Sequence, residues 1–171
     1  MTIDNTALST PDAHTAVRLG QRWLAIRAFS WIGAICIVAG GLVAAVTRPT
    51  GFAMGSWLAA FLVLVGGVAQ LGLGIGQGWI ATSLPEPDLV RSELTTWNLG
   101  AALTIAGSLT KSPVLTTVGS LSVAAALLLF LRGVSVSPPE LQRQRLAYRL
   151  LVWFVLLSTP VGIALAWIRH G

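Results

Sequence analysis

Histidine, cysteine and acidic side chains are scarce in this chain, and charge of either sign is thin. Its 171 residues include two histidines, one cysteine, six Asp or Glu and eleven Lys or Arg; 10% are charged and 54% hydrophobic. Each shortage removes a class of function. Haem or copper held within a membrane normally needs histidine, and His14 and His170 lie outside the apolar runs and read as surface residues. A lone thiol, Cys36, cannot form an internal disulfide and reads as a small residue in an apolar run. Serine is plentiful, but no histidine is placed to activate it. Proton relays and cation-coupled carriers usually place Asp or Glu within a span, and none of the apolar runs described below has one. The sequence therefore predicts no catalytic residue, no metal and no cofactor.

What the chain has is hydrocarbon. Soluble domains are about a quarter charged; this chain, with mean hydropathy +0.77, is predicted to use a bilayer as solvent. The formal charge of +5 comes from basic residues spread thinly at the ends of apolar runs. There is no dense basic stripe, so no nucleic-acid partner is expected.

The pattern predicts an all-α, polytopic membrane bundle of five transmembrane helices. Residues 1–27 form a polar N-terminal tail, loosely held to about residue 22, with a basic lead-in from Leu19 to Arg27. Spans are expected at about 28–46, 55–80, 94–109, 114–131 and 150–168. The second reaches about 39 Å at about 1.5 Å per residue, so it should tilt or protrude. Thr110-Lys111-Ser112-Pro113 is a tight turn with Ser112 as N-cap and Pro113 at the first helical position. Ser137-Pro138-Pro139-Glu140 is a capping box that starts a cytoplasmic helix extension over 138–149. Pro160 interrupts the last span, with Ser158 or Thr159 able to satisfy freed carbonyls.

Orientation follows from the basic residues. Arg18, Arg22, Arg27, Arg91, Arg132, Arg143, Arg145 and Arg149 fall on one side, and Arg48, Lys111 and Arg169 on the other. Eight of eleven put the N-terminus in the cytoplasm and the C-terminus outside. Trp23, Trp57, Trp79, Trp97, Trp153 and Trp167 are expected near the interfaces. Two hairpins also resemble each other. Ser30-Trp31, Gly33-Ala34 and Ala39-Gly40-Gly41-Leu42 parallel Thr96-Trp97, Gly100-Ala101 and Ala106-Gly107-Ser108-Leu109, each leading through a basic turn to Gly55-Ser56 or Gly119-Ser120.

Candidate interior residues lie in the second span. Gly66, Gln70, Gly74, Gln77 and Ala81 step by four, four, three and four and share a helix face. Small residues admit a neighbouring backbone and amides in hydrocarbon need partners; Asn98 is the expected partner of Gln77. The run Gly72 to Gly78 lacks the spacing of a dinucleotide loop and reads as close packing. Glu93, placed just before the third span, suits the positive end of that helix. Arg143, Arg145 and Arg149 are candidate contacts for anionic lipid headgroups.

The hairpin with Leu84-Pro85 in its loop and Trp97-Asn98-Leu99-Gly100 opening the next helix resembles segments of haem-copper-oxidase-like and related copper- or nitric-oxide-responsive bacterial membrane proteins. Those families hold metal with intramembrane histidines, and this hairpin has none. The resemblance therefore implies a scaffold or accessory role without the cofactor. The Arg-over-Lys, Ala/Gly/Val-rich style is similar to small multi-spanning membrane proteins of high-GC actinobacteria. The resulting expectation is a multi-pass inner-membrane protein, a non-catalytic accessory, assembly or scaffold subunit whose partners are the bilayer and another membrane protein or a second copy of itself. The alternative is a small-solute channel or facilitator along the Gln/Asn-lined interface.

Overall fold

A computed structural model describes residues 11–80, 86–134 and 139–170 of the chain. The described residues form helices and short turns, with no strand among them. In chain order these are α1 (Pro11–Thr50), α2 (Gly55–Ile80), α3 (Pro87–Leu109), α4 (Pro113–Gly133) and α5 (Gln142–His170), the last preceded by a single 3-10 turn at Pro139–Leu141. Among the described residues, four stretches are long and apolar enough to cross a membrane: Ile26–Thr50, Gly55–Ile80, Pro113–Gly133 and Gln142–Ile168. That is compatible with a membrane protein. The helix α3, where the sequence placed a third span, is long enough but not among the four. Its polar residues lower its hydropathy, and several of them point inward.

The ends of the helices follow local chemistry. The first begins at Pro11, inside the stretch read from sequence as a loose tail; residues 1–10 lie outside the described residues. It stops at Gly51, whose φ of 64° is the left-handed region that closes a Schellman motif. Phe52 N–H donates to Thr47 O and Gly51 N–H to Arg48 O, both at 3.3 Å. The turn from α3 to α4 uses the same device without a glycine. Lys111 takes φ 54°, Ser112 N–H donates to Gly107 O at 2.8 Å, and Lys111 N–H donates to Ser108 O at 3.4 Å. Ser112 Oγ then accepts from Leu115 N–H at 3.3 Å, the N-cap read from sequence. The capping-box residues Ser137 and Pro138, the loop residues Ser83 to Pro85, and Ala81 lie outside the described residues.

Two further departures concern helix interiors. The second helix is π-helical from Leu62 to Ala69, a widening that the apolar pattern does not announce. In α5 the helix runs on through Pro160, and the hydroxyls of Ser158 and Thr159 both donate to Val155 O, at 2.7 and 3.3 Å. The carbonyl four residues before Pro160 is that of Leu156, so these hydroxyls bridge one residue short of it.

Packing builds two hairpins at glycines. A Cβ at Gly100 would lie 2.7 Å from Val123 N and 2.8 Å from Gly119 O. In α1 a Cβ at Gly40 would lie 2.6 Å from Val63 Cγ2 and 2.9 Å from Ala59 O, and one at Gly33 would lie 3.2 Å from Gly67 O. The α1–α2 and α3–α4 hairpins therefore dock through glycines seven residues apart, Gly33 and Gly40 in one and Gly100 and Gly107 in the other. The core sits at one end of the bundle. Phe29, Leu73, Ile80, Trp97, Leu127, Phe130, Val134, Tyr148 and Val152 pack there, with Phe130 5.5 Å from Phe29 and edge-on to Trp97 at 6.2 Å. Towards the other end α5 stands off from α2 while each hairpin stays docked.

Candidate functional site

The buried face of α3 steps through Glu93, Trp97, Gly100, Thr104 and Gly107, spacings of four, three, four and three. That stripe carries a carboxylate into the core. Glu93 is fully buried, and its Oε1 accepts from Gln77 Nε2 at 2.9 Å. Its Oε2 has no hydrogen-bond partner. Two expectations are corrected here. Glu93 does not serve the helix N-terminus; that helix starts at Pro87, Asp88 occupies the first turn, and Glu93 lies well inside. Nor is Asn98 the partner of Gln77: Asn98 Nδ2 donates to Leu94 O of its own helix at 2.8 Å. Residue 98 is one position off the inward stripe, and that rotation turns it away from α2.

None of the apolar runs read from sequence contains an acid, but Glu93, one residue before the third of them, is buried within the bundle. Its signal was available in the sequence, because residue 93 continues the heptad-like stripe of Trp97, Gly100, Thr104 and Gly107. Reading the helix as starting at residue 94 cut the stripe one member short. Trp97 is a further correction. It is buried in the core rather than at an interface, and its Nε1 has no partner. Trp23, Trp31, Trp79, Trp153 and Trp167 are exposed.

The predicted stripe on α2 is buried, but its members meet different neighbours. Gly66 faces the Cys36 side chain and Gly74 faces Phe29, both on α1. Gln77 reaches Gly133 of α4 and Glu93 of α3. Gln70 is fully buried with neither amide atom hydrogen-bonded. In the glycine run, Gly74, Gly76 and Gly78 pack against Phe29, Tyr148 and Ile26, and Gly72 faces open space. Packing is thus the role of three of the four. The basic approach to α5 is divided, with Arg143 and Arg149 exposed and Arg145 half-buried.

Beyond Trp97, towards the opposite end of the bundle, an open cleft of about 740 Å³ separates α2 from α5, with α3 and α4 behind it. Trp57, Phe61 and Phe154 supply aromatic surface, with buried Trp97 beneath the closed end; Thr104, Ser108, Thr116, Ser120, Ser158 and Thr159 supply hydroxyls. Four of these hydroxyls donate to backbone carbonyls: Thr104 to Gly100 O, Thr116 to Ser112 O, and Ser158 and Thr159 to Val155 O. Their protons are committed, so what they retain for an occupant is lone pairs. No charged side chain is among the described residues that line the cleft.

The fifth helix closes this cleft with few ties. Tyr148 OH donates to Leu73 O of α2 at 3.1 Å below it, and Trp167 Nε1 donates to Thr117 Oγ1 of α4 at 3.0 Å at the far end. Sequence reasoning missed the cleft because its walls come from four helices whose relative placement no local pattern records. Comparison of the chain with protein-family models, with curated proteins and with solved structures finds no match.

Proposed function

We propose that this chain is a multi-pass inner-membrane protein that takes up a small amphiphilic solute in the cleft between α2 and α5, without catalysing a reaction on it. The observation that carries the reading is the placement of polarity. Gln70, Gln77 and Glu93 are buried within the bundle and most of the cleft hydroxyls face inward, whereas large apolar side chains cover the outer faces of the helices between their ends. A mostly apolar concavity with a few convergent polar groups is the usual form of a small-molecule site. In this reading α3 is a fifth crossing, its inward polar face sheltered by α2 and α4. With the N-terminus cytoplasmic, as the distribution of arginines favours, the cleft lies in the outer half of the bundle.

The test is binding of a neutral hydrophobic probe, N-phenyl-1-naphthylamine, to the detergent-purified protein. Ser120→Trp, which fills the cleft from α4, should weaken binding at least about tenfold without changing the oligomeric state. Unchanged binding in that variant rejects the reading.

A second reading, an accessory or assembly subunit, draws on α5. Only 6% of its most apolar window is buried within the chain, and Phe154, Leu157 and Ile168 are largely exposed. A neighbouring membrane helix packed on that face would bury it. Under this reading Leu157→Trp disrupts co-purification of a partner or a second copy, with probe binding intact.

A further inference from the structure

We propose that the cleft selects an uncharged lipid alcohol, a long apolar skeleton carrying a hydroxyl group. This inference rests on the cleft being a binding site and specifies what it selects. Three observations meet. Ser108 on α3 and Ser120 on α4 line the cleft, are partly exposed, and their hydroxyls make no hydrogen bond within the described residues. On α5, Ser158 and Thr159 line it with their protons donated to Val155 O, so they present lone pairs. No charged side chain is among the described lining residues.

The neighbouring threonines explain why these two serines are the ones available. Thr104 and Thr116, each one turn away on the same helix, are buried and donate to the carbonyls of Gly100 and Ser112. They lie against Gly119 and Gly107 of the facing helix and so fill the interface between α3 and α4. Ser108 and Ser120 have no such task. In surroundings of low polarity an unmade hydrogen bond is costly, and an oxygen on an occupant relieves that cost. The α2 wall differs in character. Met54, Leu64 and Val65 line it, and Trp57 and Phe61 stack with ring centroids 5.3 Å apart. From Met54 to Ala69 this wall covers about four turns of helix, which suits an elongated skeleton better than a compact polar molecule.

An alcohol satisfies both sets of hydroxyls at once. Its oxygen accepts from Ser108 or Ser120, and its O–H donates to Ser158 or Thr159. An ether does only the first, and a hydrocarbon does neither. A phosphate or carboxylate would bring charge into a cleft with no cationic side chain to balance it, a costly transfer. It would also set negative oxygens against lone pairs. A cation would find no carboxylate in the lining. Uncharged and hydroxylated is the class that remains.

The experiment displaces N-phenyl-1-naphthylamine from the full chain in lauryldimethylamine oxide, a detergent without hydroxyl groups. The competitors share one skeleton: farnesol, farnesyl methyl ether, farnesene and farnesyl phosphate, each corrected for its effect on protein-free micelles. On the wild-type protein farnesol should compete at least about tenfold better than the ether or the phosphate, and the ether better than farnesene. Ser158→Ala with Thr159→Val should bring farnesol within about twofold of the ether, and Ser108→Ala with Ser120→Ala should bring the ether within about twofold of farnesene. Farnesene, which reads no hydroxyl, should compete equally well in the wild type and both variants. Farnesol no better than the ether, farnesyl phosphate as the best competitor, or a farnesol preference that survives both double substitutions each overturns the alcohol class while leaving the cleft reading intact. If the naphthylamine does not bind, both fall. The ranking is read on the wild type, so the test survives a variant that does not fold.

Discussion

Gln77 donates to Glu93 across the interface between α2 and α3. The amide sits against Gly133, where even a Cβ would collide with it. Truncating the donor leaves a second carboxylate oxygen unpaired in the core, a cost of about 1–3 kcal/mol. Interhelical hydrogen bonds in membrane bundles average about 0.6 kcal/mol, so Gln77→Leu should exceed that norm in a reversible unfolding titration in mixed micelles. Asn98→Leu is the contrast. Its bond stays within α3, and its loss should stay below the Gln77 effect. Equal losses would show that the buried pair is no stronger than a local one. At this scale the residue types were legible in the sequence, as with Gln70 and Gln77 on one inward face. The pairing was not. Which polar side chain meets Gln77 depends on the rotation of α3, and that is set by Trp97 entering the core and by Gly100 and Gly107 docking on α4.

Among the helices, tight contact decides where substitution is tolerated. Gly100 approaches Gly119 and Val123 so closely that a methyl group has no room, whereas Gly41 on α1 faces open space. Gly100→Ala should destabilise the α3–α4 hairpin by about 1–3 kcal/mol through forced separation of the helices. Gly41→Ala should not destabilise, because alanine is the better helix former by about 0.5–1 kcal/mol. Thermal unfolding in detergent separates the two. The turn at Lys111 behaves in the opposite sense. A lysine held at φ 54° is in the region costly for residues with a Cβ, by about 1–2 kcal/mol, so Lys111→Gly should raise the melting temperature. Hairpin turns were the best-read elements: the basic residue, Ser112 and Pro113 announce a cap and a restart. The π-helical stretch of α2 was not readable, since Leu62 to Ala69 is apolar on every side and carries no periodicity to distort.

For the molecule as a whole, the exposed residues describe the solvent. Trp31, Ile35, Val38 and Leu42 form an outward stripe on α1, and Val114, Val118, Leu121 and Leu128 do the same on α4. Water would penalise such faces and hydrocarbon does not. Composition made this much legible from the start. The number of crossings depends on α3, whose hydropathy is lowered by residues the bundle shelters. Single cysteines at Phe52, Asp88, Lys111 and Glu140, in a Cys36→Ala background, should label from alternating sides if α3 crosses, with 52 and 111 together. Labelling of 88 and 111 from the same side would return the count to four. The gap between α2 and α5 also has a directional consequence. Its mouth lies between two helices clad in oily side chains, so a visitor's shortest approach is sideways out of the acyl chains. Uptake would then track how well a compound dissolves in octanol rather than its aqueous concentration, and two solutes of equal size would be ranked by their greasiness.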